Sequence, residues 1–429
     1  MRDAAFGERL DPLSRAPLAV AFSGGGDSLA LLLLTKAWAD RHGRPVMALT
    51  VDHGLQPRSA EWTRAAGQTA ARLGVEFKAL SWTGPKPVTG LPSAARAARH
   101  RLLADAARRA GAEVILLGHT LDDQFENALM RDRGERLGPL RDWSASPVWP
   151  QGRGLFHFRP LLAERRADLR AWLAGQGLTW LDDPANGDPR HPRTRARAAL
   201  AAGEPAPQAA AAVEVQARDW RATAWGGLTG PRDGVSARLI QIAAACASGR
   251  EALGRPARAG AILERIQAGE DFIASLGGAR VIAGRDLLFT REAGEFQRGG
   301  SGEIVLQPHA AQTWDGRFEL WTEREGVRIS PLAGMLRRLQ GSEKTALLAV
   351  PAAGRASLPL AQGSGLAPTC PILAGPAADA AVVRAKALIG PRFAAACGLI
   401  TREATTSVIG CMADRLQASY VGAEAKGVS

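Results

Sequence analysis

The sequence predicts an α/β fold: a doubly wound, mainly parallel sheet in its first half, followed by a helical domain and a small α/β C-terminal domain. Three observations carry this. Residues 18–34, LAVAFSGGGDSLALLLL, pass from an apolar stretch through a cluster of small residues into a second apolar stretch, the pattern of strand, tight turn and buried helix. Short apolar runs then recur at 45–51, 75–82 and 113–117 with helical stretches between them, the alternation of a parallel sheet. Past residue 200 the rhythm breaks at Gly203-Glu204-Pro205-Ala206-Pro207, which reads as a linker. The expected domains are 1–202, 203–310 and 311–429.

In chain order, residues 1–17 form a short amphipathic lead-in closed by Pro17. The loop Ser23-Gly24-Gly25-Gly26-Asp27-Ser28 then joins strand to helix. This layout aims backbone N–H groups and a helix N-terminus at an anion such as phosphate. The glycines let the backbone approach phosphate oxygens, and Ser23 and Ser28 add hydroxyls. Asp27 cannot donate, so beside phosphates it makes sense as a ligand for Mg²⁺. A kinase-type P-loop would need a closing Gly-Lys-Ser/Thr, and no lysine occurs before Lys36. A dinucleotide loop would need G-x-G-x-x-G, and Leu29 occupies its last position. The plainest alternative is a tight turn with no ligand.

The helix over 29–41 stops near His42-Gly43, and the second strand, 45–51, ends in Asp52-His53-Gly54. Ligands of open α/β sheets collect at strand carboxyl ends, which places Asp52 and His53 beside the glycine loop. A helix over 60–73, a strand over 75–82 and a loop at 84–87 follow. The alanine-rich helix over 93–111 carries Arg96 and Arg99 on one face. The fourth strand, 113–117, runs into Gly118-His119-Thr120-Leu121-Asp122-Asp123-Gln124-Phe125-Glu126. Thr120, Asp122 or Asp123 can cap the next helix, on which Asp122 and Glu126 share a face with Asp123 adjoining. Capping explains one or two of these carboxylates. A cluster of three behind His119 suits a cation, either Mg²⁺ or an ammonium.

Past the linker, helices are expected over 208–224, 237–249 and 258–269, a hairpin over 280–291 turning at Gly284-Arg285-Asp286, and a helix over 379–388 with Asp379 as its N-cap.

The formal net charge of +12 suits a polyanionic partner such as nucleic acid. The four cysteines, Cys246, Cys370, Cys397 and Cys411, form no C-x-x-C and leave the first half empty, which argues against a disulfide framework or zinc site. No apolar run reaches the ~18 residues that span a bilayer, and the N-terminus lacks a signal-type core, so a cytoplasmic location is expected.

SGGGDS fits the Ser-Gly-Gly-x-Asp-Ser signature and resembles the PP-loop ATP pyrophosphatases, which cleave ATP between α and β phosphates to adenylate a substrate. His119-x-x-Asp122-Asp123-Gln124-x-Glu126 with Arg131 narrows the resemblance to the tRNA(Ile)-lysidine synthase family. So do Val51-Asp52-His53-Gly54-Leu55, Ala95-Arg96-Ala97-Ala98-Arg99 and Arg159-Pro160-Leu161-Leu162, as well as 180–197, WLDDPANGDPRHPRTRAR, which is similar to D-P-S-N-x-D followed by R-N-x-x-R. Pro92, Asn127 and Thr194 depart from the family pattern. The match spans about residues 18 to 200.

The resemblance implies a PP-loop, adenine nucleotide α-hydrolase-like fold and a ligase using ATP with Mg²⁺. Its substrates would be a CAU-anticodon tRNA(Ile) and free L-lysine. The wobble cytidine is adenylated on its C2 oxygen, lysine displaces AMP to form lysidine, and decoding shifts from AUG to AUA. The implied ATP site is Ser23, Gly24, Gly25, Gly26, Asp27, Ser28, Asp52 and His53, with Asp27 on Mg²⁺. His119, Asp122, Asp123 and Glu126 would serve lysine and catalysis, and Arg96, Arg99, Arg131, Arg159, Arg193 and Arg197 would meet phosphates of ATP or tRNA. Oligomeric state is open, a homodimer included. The alternatives are a tRNA thiolase, which would need cysteines beside the loop, a glutamine- or ammonia-dependent ligase, and a non-catalytic RNA-binding relic.

Overall fold

The computed structural model describes residues 2–403 apart from 136, 183–189, 208–216, 218, 299–301, 340, 364 and 374–381. The described residues form two compact units, one of 2–207 with 400–403 and one of 217–399.

The first unit is the expected α/β fold. Its elements run α1 (Arg2–Arg9), β1 (Leu18–Ala21), α2 (Gly26–His42), β2 (Val46–Asp52), α3 (Ser59–Arg72), β3 (Glu76–Ser81), α4 (Leu91–Arg109), β4 (Val114–Leu116), α5 (Leu121–Asp132), β5 (Trp143–Ala145), β6 (Phe156–Phe158), α6 (Arg166–Gly175) and α7 (Pro192–Ala201). The sheet order is β3-β2-β1-β4-β6-β5, parallel except for the edge strand β5. The chain steps outward from β1 to β3, and then α4 carries it back to the other side of β1. β1 and β4 therefore form a topological switch point, with a crevice beyond their carboxyl ends. Val20 lies beside Leu116 there, so the loops that leave β1 and β4 emerge as neighbours.

Residue parity decides the two faces of this sheet. Ala19, Met47, Leu49 and Ile115 pack with Leu103, Ala104 and Ala107 of α4, whose alanines allow close approach. The opposite parity, Leu18, Val20, Val114 and Leu116, is fully buried on the side where α2 packs on β1. α2 buries Leu29, Leu31 and Leu32 almost completely, which is why its apolar run lacks an amphipathic stripe. It ends at Gly43, whose φ of 63° is a left-handed cap that a Cβ would strain.

The second unit differs from a mainly helical segment. Its expected helices are present as α8 (Ala237–Ser248) and α9 (Pro256–Gln267), but they share it with a five-stranded antiparallel sheet. The strands are β7 (Arg221–Ala222), β8 (Leu228–Gly230), β9 (Phe272–Leu276), β10 (Ala279–Ala283) and β11 (Leu287–Arg291), in the order β7-β8-β11-β10-β9. β9 and β10 bury every second residue, a period of two that only a strand can satisfy. The expected hairpin over 280–291 is β10 and β11, closed where the Gly284 N–H donates to Asp286 O at 3.2 Å. Of the helix expected over 208–224, residues 208–216 and 218 lie outside the described residues, and Arg221–Ala222 is strand. The helix expected over 379–388 is also corrected: Val383–Ala387 pairs with Phe318–Thr322 as a strand, burying Val383 and Ala387, and the helix begins at Ile389. Alanine-rich VRAKA has helix propensity, and sheet pairing overrides it. Asp379 lies outside the described residues. One hydrophobic cluster runs from Trp220 and Leu239 to Leu360 and Phe393.

Residues 400–403 return to the first unit, and a buried ion pair anchors them. Arg44 Nη1 and Nη2 reach Glu403 Oε2 and Oε1 at 2.7 and 2.8 Å, and the two side chains are 0% and 2% exposed. The Asp11 N–H donates to the same carboxylate at 2.9 Å, and Trp143 Nε1 donates to Ile400 O at 3.0 Å. Removing one partner of such a pair strands a buried charge, a cost of roughly 3–5 kcal/mol, whereas replacing both by apolar groups is often neutral. Glu403→Ala should therefore destabilise this unit by about that amount in urea unfolding, and adding Arg44→Met to Glu403→Leu should recover part of it, since Arg44 also donates to Ala16 O and Asp11 O. A Glu403→Ala protein within ~0.5 kcal/mol of wild type would contradict the assignment.

Candidate active site

The crevice at the switch point is a cleft of about 570 Å³. Its floor is the glycine loop, and the N–H groups of Gly26, Asp27 and Ser28, in the first turn of α2, have no acceptor within the helix. The serines brace this loop from inside. Ser28 Oγ donates to Gly25 O at 2.9 Å and accepts from the Ser23 N–H at 3.2 Å, while the Gly25 N–H reaches Ser23 Oγ at 3.4 Å. Gly24 holds φ +83°, and a Cβ there would meet Leu181 Cδ1 at 2.6 Å. The Leu181 N–H donates to Gly24 O at 2.9 Å, so residues 180–182 press the loop from outside. Gly118 completes the close packing, since its Cβ would sit 3.2 Å from Asp27 O.

Most of the residues expected from the sequence converge here. Ser23, Gly25, Gly26, Asp27, Ser28, Asp52, His53, Arg99, His119, Asp123, Arg193 and Arg197 line the cleft. Gly24 lies under the strap formed by Leu181. Asp52 Oδ1 accepts from the Gly54 N–H at 2.8 Å, closing the turn that presents His53. Burial first and Arg99 second hold the His53 imidazole below its ordinary range.

The acidic helix start is built as one of the expected caps. Thr120 and Asp123 form a reciprocal capping box on α5, with Asp123 Oδ2 accepting from Thr120 N and Oγ1 at 2.8 and 2.9 Å. Asp122 accepts from the Arg166 N–H at 2.7 Å, capping α6 from outside. Glu126, 1% exposed, is ringed by guanidiniums: Arg197 at 2.8 Å, Arg166 at 3.1 Å and Arg193 at 3.4 Å. The cluster expected to hold Mg²⁺ or an ammonium is thus paired with arginines. Arg166, absent from the sequence-based site, is the centre of that pairing. Its Nε donates to Asp27 Oδ2 at 2.9 Å, and its Nη2 lies 3.4 Å from Asp123 Oδ1. Burial works to lower the pKa of Arg166, but the carboxylates of Asp123, Asp27 and Glu126 outweigh it and raise it. Burial raises that of Asp27, with Arg166 opposing.

Three of the expected arginines stand elsewhere. Arg131, on the last turn of α5, does not line the cleft. Arg96 does not line it either, and burial followed by Arg193 lowers its pKa. Arg159 is consumed by structure, donating to Arg141 O at 2.8 Å, Ser144 Oγ at 3.1 Å and His119 Nδ1 at 3.1 Å. That last bond assigns the proton of His119 to Nε2. Burial, then Arg159, holds His119 well below its ordinary pKa, so it enters the cleft as a neutral donor. Burial likewise lowers Arg99 and Arg159 to about 10.

Among the described residues no three acidic, histidine or cysteine side chains group as a metal site. Asp27 Oδ1 is buried without a hydrogen-bond partner, and one such oxygen suits Mg²⁺ held chiefly by substrate phosphates. Cys246, Cys370 and Cys397 are buried, and burial pushes their thiols up to about 11, 12 and 12, which makes them poor nucleophiles. Cys411 lies outside the described residues.

Residues 3–203 match the PP-loop domain family. The chain is 45% identical over 411 residues to the tRNA(Ile)-lysidine synthase of Caulobacter vibrioides, covering 94% of this chain and 98% of that protein. It is 31% identical over 361 residues to that of Rhizobium meliloti, covering 72% and 74%. Over 202 residues it is 46% identical to that of Hyphomonas neptunium, covering 46% and 54%.

Behind the cleft, His100 and His157 stack with centroids 5.2 Å apart, and none of their ring nitrogens has a hydrogen-bond partner. Burial, then Arg99, pushes His100 down to about 3; burial, then Arg159, holds His157 well below its usual value. The unfolded chain protonates these rings near pH 6.5 and the folded chain does not. Stability is therefore full above that pH and falls below it, by about 1.4 kcal/mol per pH unit for each histidine. Urea unfolding of this unit between pH 7 and 5 should show that slope, and His100→Phe should reduce it by one histidine's share. A slope unchanged by both His100→Phe and His157→Phe would refute the account.

Proposed function

The chain belongs to the tRNA(Ile)-lysidine synthase family, and from that premise we propose how its cleft performs an ATP-dependent ligation on tRNA. One observation carries the reading: in a chain 45% identical to a named synthase over 94% of its length, the glycine loop and the acidic helix start open into one cleft at adjacent strand ends.

ATP lies with its phosphates over the first turn of α2, where the N–H groups of Gly26, Asp27 and Ser28 face charge that grows as pyrophosphate leaves. Asp27 Oδ1 would hold Mg²⁺, which neutralises that leaving group. His53 borders the nucleotide, and neutral His119 donates from Nε2. The C2 oxygen of the wobble cytidine attacks the α-phosphate, after which the side-chain amine of free L-lysine attacks C2 and AMP departs. Asp122, Asp123 and Glu126 draw in the lysine ammonium, and a carboxylate of this cluster takes its proton. Arg96, Arg99, Arg193 and Arg197 steady phosphates of ATP or of the CAU-anticodon tRNA(Ile), their planar forks matching phosphate oxygens. Flipping the wobble base out of the anticodon stack costs a few kcal/mol, so recognition needs tRNA-binding surface beyond this cleft. The basic residues after Gly203 would supply it. The reaction is placed in the cytoplasm. Among the described residues no helix is long and apolar enough to cross a membrane.

The test is transfer of radiolabelled lysine to transcripts of CAU-anticodon tRNA(Ile) and tRNA(Met). Incorporation into the isoleucine tRNA alone, with one AMP per lysine, is expected. AMP release without transfer would overturn the lysine assignment, and absence of turnover would overturn the enzyme. Asp27→Ala should retain tRNA in a gel shift while lowering lysine-dependent AMP release by roughly 10²–10³-fold. Lost tRNA binding would sink the role given to Asp27.

A further inference from the structure

Arg166 stands between the two halves of the cleft. From the first residue of α6, its planar fork reaches the glycine loop through Asp27 (2.9 Å) and α5 through Glu126 (3.1 Å) and Asp123 (3.4 Å). Its own N–H on Asp122 Oδ2, at 2.7 Å, fixes the root of the side chain to α5. The Arg166 side chain is 16% exposed, so its counter-charge comes from these carboxylates more than from water. The partners are not equally dependent on it. Glu126 keeps Arg193 and Arg197, and Asp123 keeps both donors of Thr120, so α5 stays satisfied if Arg166 withdraws.

Resting on the reading that ATP and free lysine share this cleft, we propose that Arg166 is a positioning residue that couples their two sites. Its guanidinium occupies the cation position among Asp27, Asp123 and Glu126, and yields it to the substrate ammonium once the ATP phosphates give it another anion. An ammonium cannot reach Asp27 Oδ2 and Asp123 Oδ1 while the guanidinium of Arg166 fills the space between them. Moving the guanidinium away with no anion to receive it would strand a buried charge. Phosphates laid over the first turn of α2 arrive beside Asp27, within the sweep of the side chain. Nucleotide therefore tightens lysine binding, and by linkage lysine tightens nucleotide binding by the same factor. Nucleotide binding then precedes amine entry because the amine site is filled by an internal cation until the nucleotide is in place.

The experiment is calorimetric titration of L-lysine into the full-length protein with tRNA(Ile) transcript throughout, with and without saturating Mg²⁺ and α,β-methylene ATP. In wild type the nucleotide should tighten lysine at least about fivefold. In Arg166→Gln, lysine alone should bind at least as tightly as it does to wild type alone, and the nucleotide effect should shrink to within about twofold of unity. Arg166→Lys keeps the charge without the bridging fork, so it should also lose most of the coupling; it carries the test if the glutamine variant melts. Coupling unchanged in the folded variant, or a wild type whose lysine affinity ignores nucleotide, overturns the proposal and leaves the ligase reading standing. A wild type that binds neither ligand removes that reading and the proposal with it.

Discussion

Three carboxylates, Asp27, Asp123 and Glu126, converge at the carboxyl ends of β1 and β4, and their mutual repulsion has to be met before anything else can be built there. The fold meets it with one guanidinium in common and two more on Glu126. Each helix around the cleft then has its place fixed by charge as well as by packing. α2 contributes Asp27, α5 contributes Asp123 and Glu126, α6 contributes Arg166, and α7 contributes Arg193 and Arg197. Apolar parity settles which face of the sheet each helix covers, but parity is indifferent to sliding along the strands. Ion pairs at the strand ends remove that freedom.

What the sequence disclosed follows from the range of each interaction. The glycine loop, the capping box and the strand-end placement of His53 and His119 are local patterns, and they were legible because neighbours in sequence make the contacts. Arg166 was not, since its partners lie more than a hundred residues away at Asp27 and about forty away at Glu126. A signal did exist: Arg165 and Arg166 sit at the start of a helix, where the dipole disfavours cations. Such a placement asks for compensating carboxylates, and Asp122 with its neighbours provides them. The return of residues 400–403 and the stacked His100–His157 pair left no trace in pattern or motif. In the second half, alanine-rich strands such as Val383–Ala387 carry helix propensity, so pairing alone could reveal them.

Electrostatics divides the cleft into two regimes. Around Arg99, Arg159, His119 and His157 the protein accumulates cations and neutral imidazoles, with Asp142 the carboxylate that opposes the shift of Arg159. The guanidiniums there are pressed down to about 10, and the histidines cannot hold a proton beside them. A wall of that kind favours anions and supplies neutral N–H donors. Around Arg166 the charges alternate instead, with Asp27, Asp122, Asp123 and Glu126 facing Arg165, Arg166, Arg193 and Arg197. The cleft thus presents a cationic wall on one side and a paired ionic cluster a few side chains away.

The glycine loop couples these regimes because its own donors belong to the backbone. Ser23 and Ser28, which sequence reasoning casts as phosphate ligands, direct hydrogen bonds to each other and to Gly25. Their service is to hold the turn while the first N–H groups of α2 point into the cleft. Leu181 fixes the same turn from the opposite side through Gly24, whose positive φ and lack of a Cβ permit the contact. A loop braced from both sides cannot adjust to its ligand by moving, so adjustment passes to the side chains above it. Asp27 begins the helix that supplies the N–H groups and also accepts from Arg166. The floor of the cleft is therefore fixed where it is backbone, and its charge pairing lies in the side chains along its rim.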